Sequence, residues 1–219
     1  TAHQLDLYRR WDWHSMPLFR HAWSMNDRLA IVYGFLKNNF NFFLPETYNI
    51  NLQFPGVLPL EELKGITAVD FPLHEYLVAL FMLLFNTRDP FVFYTYVTIL
   101  SSIGLFFFYK AIRLSTQSAY LAILGLVLIM SSPIFGYYNQ GFLPAIPAIS
   151  TSFIGLYFFV KLQHENSRKD LILAIVFLTL SALVRFPFVI MLIALFLLPL
   201  FHRKGLLKVN YSSRWPLAG

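Results

Sequence analysis

The chain has 219 residues, 57% of them hydrophobic and 13% charged, with a net charge of +6 and a mean hydropathy of +0.58. A soluble domain carries about 25% charged residues and its helices keep a polar face. The runs Phe106–Tyr109 and Phe153–Val160 have no such face, so a water-soluble bundle is excluded. Absence of cysteine excludes disulfides and thiolate metal sites. Many of the basic residues sit at the ends of apolar blocks, where they read as membrane-topology signals rather than a nucleic-acid footprint.

The chain starts at Thr1 in a polar segment with no visible signal peptide, and is read as an internal piece of a larger membrane protein. Residues 1–71 are polar and aromatic, with Trp11, Trp13, Trp23 and the run Phe40-Asn41-Phe42-Phe43. Ser24-Met25-Asn26-Asp27 has capping-box spacing, with Ser24 as N-cap and Asp27 at the third helical position. Leu29, Val32, Tyr33 and Leu36 recur at helical spacing, and the helix is predicted to end near Lys37-Asn38-Asn39. It is too short to span, so it is expected to lie on the membrane surface. Residues 45–70 read as a loop punctuated by Pro45, Pro55, Gly56, Pro59 and Gly65. Pro72 suits the first turn of a helix of about 14 residues, ~21 Å long, shorter than a core about 30 Å thick; it is expected to lie in the interface or re-enter, the alternative being a short tilted crossing extended by flanking residues.

Four apolar blocks follow: Pro90–Tyr109, Tyr120–Ile134, Leu143–Leu162 and Leu171–Leu200, the last interrupted by Arg185-Phe186-Pro187 into two short helices. A bilayer accepts such segments because a helix satisfies its own backbone hydrogen bonds. Lys110 and Arg113, then Lys161, Arg168 and Lys169, then His202, Arg203, Lys204 and Lys208 mark cytoplasmic ends, and the uncharged loop Gly136–Gly141 faces the other side. The expected organisation is a first outer loop with amphipathic surface helices over 1–89, a transmembrane helix bundle over 90–205 and a basic cytoplasmic tail or loop over 206–219.

This topology gathers polar elements on one outer face. Asp27 is either a base or part of its helix cap. Asp70 and His74, four residues apart, are placed on one helical face, with Glu75 pointing elsewhere into solvent. Tyr137, Tyr138, Asn139 and Gln140 line a sugar pocket or belong to an aromatic belt. Arg185, a charge inside an apolar run, holds a phosphate or snorkels to the headgroups. Arg28 is a further, weaker phosphate candidate.

Asn41-Phe42-Phe43-Leu44-Pro45, Asp70-Phe71-Pro72-Leu73, Ser132-Pro133-Ile134-Phe135-Gly136-Tyr137-Tyr138 and Phe142-Leu143-Pro144 together resemble the bacterial polyprenyl-phosphate-dependent glycosyltransferases of the GT-C fold. Within that fold they are most similar to the protein-mannosyltransferase-like family 39 and the lipid A aminoarabinose transferases. The resemblance implies an all-α integral membrane protein, a GT-C-type transmembrane helix bundle with surface helices in an outer loop, here an amino-terminal part. It implies inverting transfer of a sugar from a polyprenyl-phosphate carrier to an acceptor hydroxyl of a lipid, glycan or protein. The active site is expected on the extracytoplasmic side of a bacterial inner membrane, with membrane lipid but no nucleic acid as a partner. Asp27 matches the base and Asp70 a second acidic position; His74, Arg185, Arg28, Tyr138, Asn139 and Gln140 fall to substrate binding. Relatives often carry an acidic residue where Ala145 follows Leu143-Pro144, so no metal ligand is assigned and a divalent-metal cofactor is left doubtful. The rival classes are a transporter or flippase of a lipid-linked substrate, a non-catalytic membrane subunit, and a polymerase or ligase with a diphosphate-linked donor.

Overall fold

The computed structural model describes residues 22–47, 70–165 and 167–203. Among them every regular element is helical, with no strand. The elements are α1 (Ala22–Lys37), α2 (Leu73–Leu84), α3 (Phe91–Thr116), α4 (Ala119–Met130), α5 (Pro133–Asn139), α6 (Ala145–Glu165), α7 (Arg168–Val184), a 3-10 turn (Phe186–Phe188) and α8 (Val189–Arg203). The expected basic tail at 206–219 lies outside the described residues, as do most of the loop at 45–70 and Trp11 and Trp13.

The chain divides into two compact units, one comprising residues 1–96 and 141–143, the other 97–140 and 144–219. In the first, α1 and α2 pack together. Met25, Leu29, Ala30, Ile31, Val32, Gly34 and Phe35 of α1 are all buried. At 100° per residue these positions run right round the helix, so α1 differs from the one-sided surface helix that its sequence spacing predicts. Its start differs too. The helix is already formed at Ala22, so Ser24 lies inside it and Asp27 lies beyond the first turn. An aspartate in place of the usual Glu or Gln reaches back less well to close a capping box, and Ala and Trp continue a helix at least as well as Ser.

α1 ends at Lys37, as its asparagines predict, through two residues in the left-handed region, Asn39 (φ 55°) and Phe40 (φ 60°). Asn tolerates that conformation, whereas Phe pays a steric cost of about 1–2 kcal/mol. Its amide donates to the Phe35 carbonyl at 3.0 Å, and its ring meets Tyr76 edge-on at 5.8 Å. Phe42 joins the same cluster, 5.2 Å from Tyr76 and 5.1 Å from Phe71, which fastens the segment after α1 to the start of α2. Tyr33 donates to the Arg88 carbonyl at 2.7 Å.

In the second unit α6 and α7 form the best-packed pair. Leu162, Leu171, Ala174, Leu178 and Leu195 make its core, with Phe158, Phe159, Ile175 and Leu192 against them. Ser181 donates to the Ala148 carbonyl at 2.7 Å, and Lys161 pairs with buried Asp170 at 3.3 Å, so the hairpin is tied at both ends. α4 begins at Ser118, whose hydroxyl accepts from the Leu121 amide. The helix pair α4–α5 bends by 69° at Ser131-Ser132. Ser132 caps α5 and Pro133 opens it, which overturns the expected loop: Tyr137, Tyr138 and Asn139 are the last turn of a helix.

α3 and α6 are long and apolar enough to cross a bilayer, and the bent pair α4–α5 makes a third candidate span. At about 1.5 Å per residue the 26 residues of α3 reach ~39 Å and the 21 of α6 ~32 Å. Ile99, Ile103 and Phe106 of α3, Leu121, Val127, Leu128 and Met130 of α4, and Ile190, Ile193 and Phe196 of α8 are exposed, as lipid-facing side chains are. α2, with 12 residues, is shorter than a span.

Candidate active site

Arg28, Asp70 and Glu75 of the first unit converge where α1 passes the start of α2. Arg28 Nη1 donates to Glu75 Oε1 at 3.1 Å, and Nη2 donates to Asp70 Oδ2 at 3.2 Å. The two carboxylates differ in surroundings: the Glu75 side chain is 0% exposed and that of Asp70 52%, with Arg28 between them at 17%. His74 is also buried, its Nε2 3.6 Å from Glu75 Oε2, and neither atom has a hydrogen-bond partner. Burial lowers the His74 pKa below the ordinary 6.5 despite the opposing pull of Glu75, so the imidazole is held towards its neutral form.

Two expectations change here. Glu75 is buried and ion-paired, not solvated. Asp70 and His74 do not share a helical face: α2 begins at Leu73, so Asp70 precedes the helix and the phase of 100° per residue does not reach it. Asp70 lies exposed at the mouth of the cluster while His74 and Glu75 lie inside.

Asp27 sits next to Arg28 on α1, half-buried, with no ion pair among the described residues. Burial pushes its carboxyl above the ordinary 3.8, against the opposing pull of Arg28. A carboxylate released from helix capping and short of water is a stronger base than one bonded to backbone amides. Asp27, Arg28, Asp70 and His74 thus all belong to the first unit.

The remaining candidates belong to the second unit. Tyr138 and Asn139 end α5 and Gln140 follows it; Asn139 Oδ1 is buried without a hydrogen-bond partner. Arg185 interrupts the helices as predicted, extended at φ −151° and ψ 112° between α7 and the 3-10 turn, with a half-buried side chain and no ion pair among the described residues. Proline at 187 cannot donate to a continuing helix, which accounts for the break. Among the described residues no group of three or more His, Asp or Glu is placed to hold a metal ion. Asp70 and Glu75 flank the Arg28 guanidinium.

Long apolar helices with lipid-type exposed faces define an all-α integral membrane protein. Residues 70–217 match the family model for dolichyl-phosphate-mannose-protein mannosyltransferase. The chain belongs to this family, whose members are membrane glycosyltransferases of the GT-C type. No curated protein and no solved structure matches it. The match opens at Asp70, so α1 precedes it, and Arg28 ties α1 to the first matched residue.

Proposed function

We propose that the protein transfers a sugar from a polyprenyl-phosphate carrier to a hydroxyl of a lipid, glycan or protein acceptor on the outer face of a bacterial inner membrane, with inversion and with Asp27 as general base. The acceptor oxygen attacks the anomeric carbon, and its proton passes to the Asp27 carboxylate. The bond from the anomeric carbon to the phosphate oxygen breaks, and the phosphate leaves on its lipid with an added negative charge. Guanidinium groups suit that charge, since they pair with phosphate bidentately; Arg28 and Arg185 are the candidates. Asn139, with its unpartnered Oδ1, and the neighbouring Tyr138 and Gln140 suit sugar hydroxyls. The observation that carries the reading is the Asp27 carboxylate, raised by burial, beside an arginine anchored to the family-matched segment.

The test is sugar transfer from a polyprenyl-phosphate donor by the membrane-embedded protein carrying Asp27→Asn. Turnover is expected to fall about a hundred- to ten-thousandfold, the range a general base supplies, with donor binding retained. In the wild type, activity is lost as pH falls through the Asp27 pKa, because the protonated carboxyl accepts no proton. That acid limb lies above the ordinary 3.8. Undiminished transfer by a folded Asp27→Asn protein removes Asp27 from the role. Movement of the lipid-linked sugar across the bilayer without product points to a transporter instead.

A further inference from the structure

We propose that Asp70 is a place-holder for the donor's phosphate. Its carboxylate occupies the Nη2 edge of Arg28, and a lipid-linked phosphate takes that edge by displacing it. The inference rests on the reading above for its ligand class, but not on Asp27.

Three observations carry it. First, one guanidinium faces two carboxylates of opposite accessibility: Glu75 Oε1 on Nη1, fully enclosed, and Asp70 Oδ2 on Nη2, half open to solvent. Second, the two pairs differ in how easily they break. Separating Arg28 from Glu75 leaves a buried carboxylate with no compensation, which proteins tolerate poorly. Separating it from Asp70 returns an exposed carboxylate to water, and exposed pairs are weak. Only the Asp70 edge therefore exchanges. Third, Asp70 precedes α2 rather than lying within it, so its side chain swings away without disturbing a helix. Glu75 meanwhile holds the fork in position, which leaves the planar edge of Nη2 ready for a tetrahedral oxyanion.

A competing carboxylate lowers the affinity of the slot for phosphate, and its removal raises it. The experiment uses the membrane-embedded protein in nanodiscs of zwitterionic lipid and titrates farnesyl phosphate, with farnesol as the uncharged control. Asp70→Asn is expected to bind farnesyl phosphate about two- to fivefold more tightly than wild type, the range that an exposed ion pair controls. Asp70→Glu restores wild-type affinity, and the farnesol signal does not move. The gain disappears when Asp70→Asn is made in an Arg28→Gln/Glu75→Gln background, which removes the guanidinium without stranding a buried charge. Asp70→Ser serves as a second variant should the asparagine protein misfold. Inorganic phosphate showing the same gain assigns the slot to the phosphate group itself; a gain confined to farnesyl phosphate assigns it to the lipid-borne group. Unchanged or weaker binding to folded Asp70→Asn, or a gain that persists without Arg28, overturns the proposal. These readouts need no turnover, so they separate from the Asp27→Asn result: either can fail while the other stands.

Discussion

With its side chain enclosed, Glu75 depends on Arg28 for charge compensation more than Arg28 depends on Glu75. The guanidinium keeps Asp70 and some contact with water, while among the described residues Glu75 has Arg28 and a neutral-leaning His74 as its charge partners. The two single substitutions should therefore be unequal. Arg28→Gln strands a buried charge and is expected to cost about 3–5 kcal/mol. Glu75→Gln leaves a polar group of similar shape and is expected to cost about 1–3 kcal/mol. The double Arg28→Gln/Glu75→Gln protein should recover most of the larger loss. Denaturant unfolding in mild detergent measures all three, and equal single losses would show that solvent reaches Glu75. This pair could not be read from the sequence. Its members are 47 residues apart, and counting helical phase from Asp70 assigned Glu75 to solvent. The signal lay in Pro72: a helix opened after that proline sets its own phase, leaving Asp70 outside it. Asp27, by contrast, reads from its place on a helix as either a base or part of a cap, and the family resemblance alone favours the base; the cap is not formed.

At the scale of elements, apolar length showed where helices lie but not how closely they pass. The blocks Leu143–Leu162 and Leu171–Leu200 correspond to α6 and to α7 with α8, and the break at Arg185 was marked by its proline. The bend between α4 and α5 was missed, though Ser132-Pro133 is a cap followed by a first-turn proline. Close approach leaves only glycine as a trace. A Cβ at Gly155 would stand 2.7 Å from Leu178 Cγ and 3.1 Å from its backbone nitrogen. At Gly104 it would stand 2.6 Å from Ser150 Cα. Such small-residue contacts let helix backbones pack where lipid offers no hydrophobic drive. Gly155→Ala is expected to destabilise by about 1–3 kcal/mol through overpacking. Combined with Leu178→Ala it should cost less than the sum of the two, because part of the clash is with that side chain. Gly104→Ala should gain no such relief from trimming Ser150 to alanine, since its clash is with backbone as well as Cβ. Unfolding of the single and double variants decides this, and strict additivity at Gly155 would mean that the helices shift apart freely.

For the molecule as a whole, the membrane sidedness of the candidate residues is an expectation from charge that is open to direct measurement. Lys110 and Arg113 end α3, and Lys161, Arg168 and Lys169 flank the α6–α7 turn, whereas no Lys or Arg lies between Arg113 and Lys161. Positive-inside placement puts both basic turns in the cytoplasm. On that placement α3 is expected to run inward, the bent α4–α5 pair outward, α6 inward and α7 outward. Arg185 is then expected at the outer end of α7. The 17 residues of α7 reach ~26 Å, just short of a hydrocarbon core about 30 Å thick, so Arg185 is expected at a headgroup boundary rather than beyond it. Since the chain contains no cysteine, single substitutions report one position each. Phe43→Cys and Phe186→Cys, both at exposed side chains, are expected to react with a membrane-impermeant maleimide on intact cells. Ser115→Cys, at the inward end of α3, is expected to react only after permeabilisation. Labelling of Phe186→Cys from the cytoplasm would put Arg185 across the bilayer from Asp27. That outcome would remove Arg185 from phosphate binding and leave Arg28 as the guanidinium available to the departing phosphate.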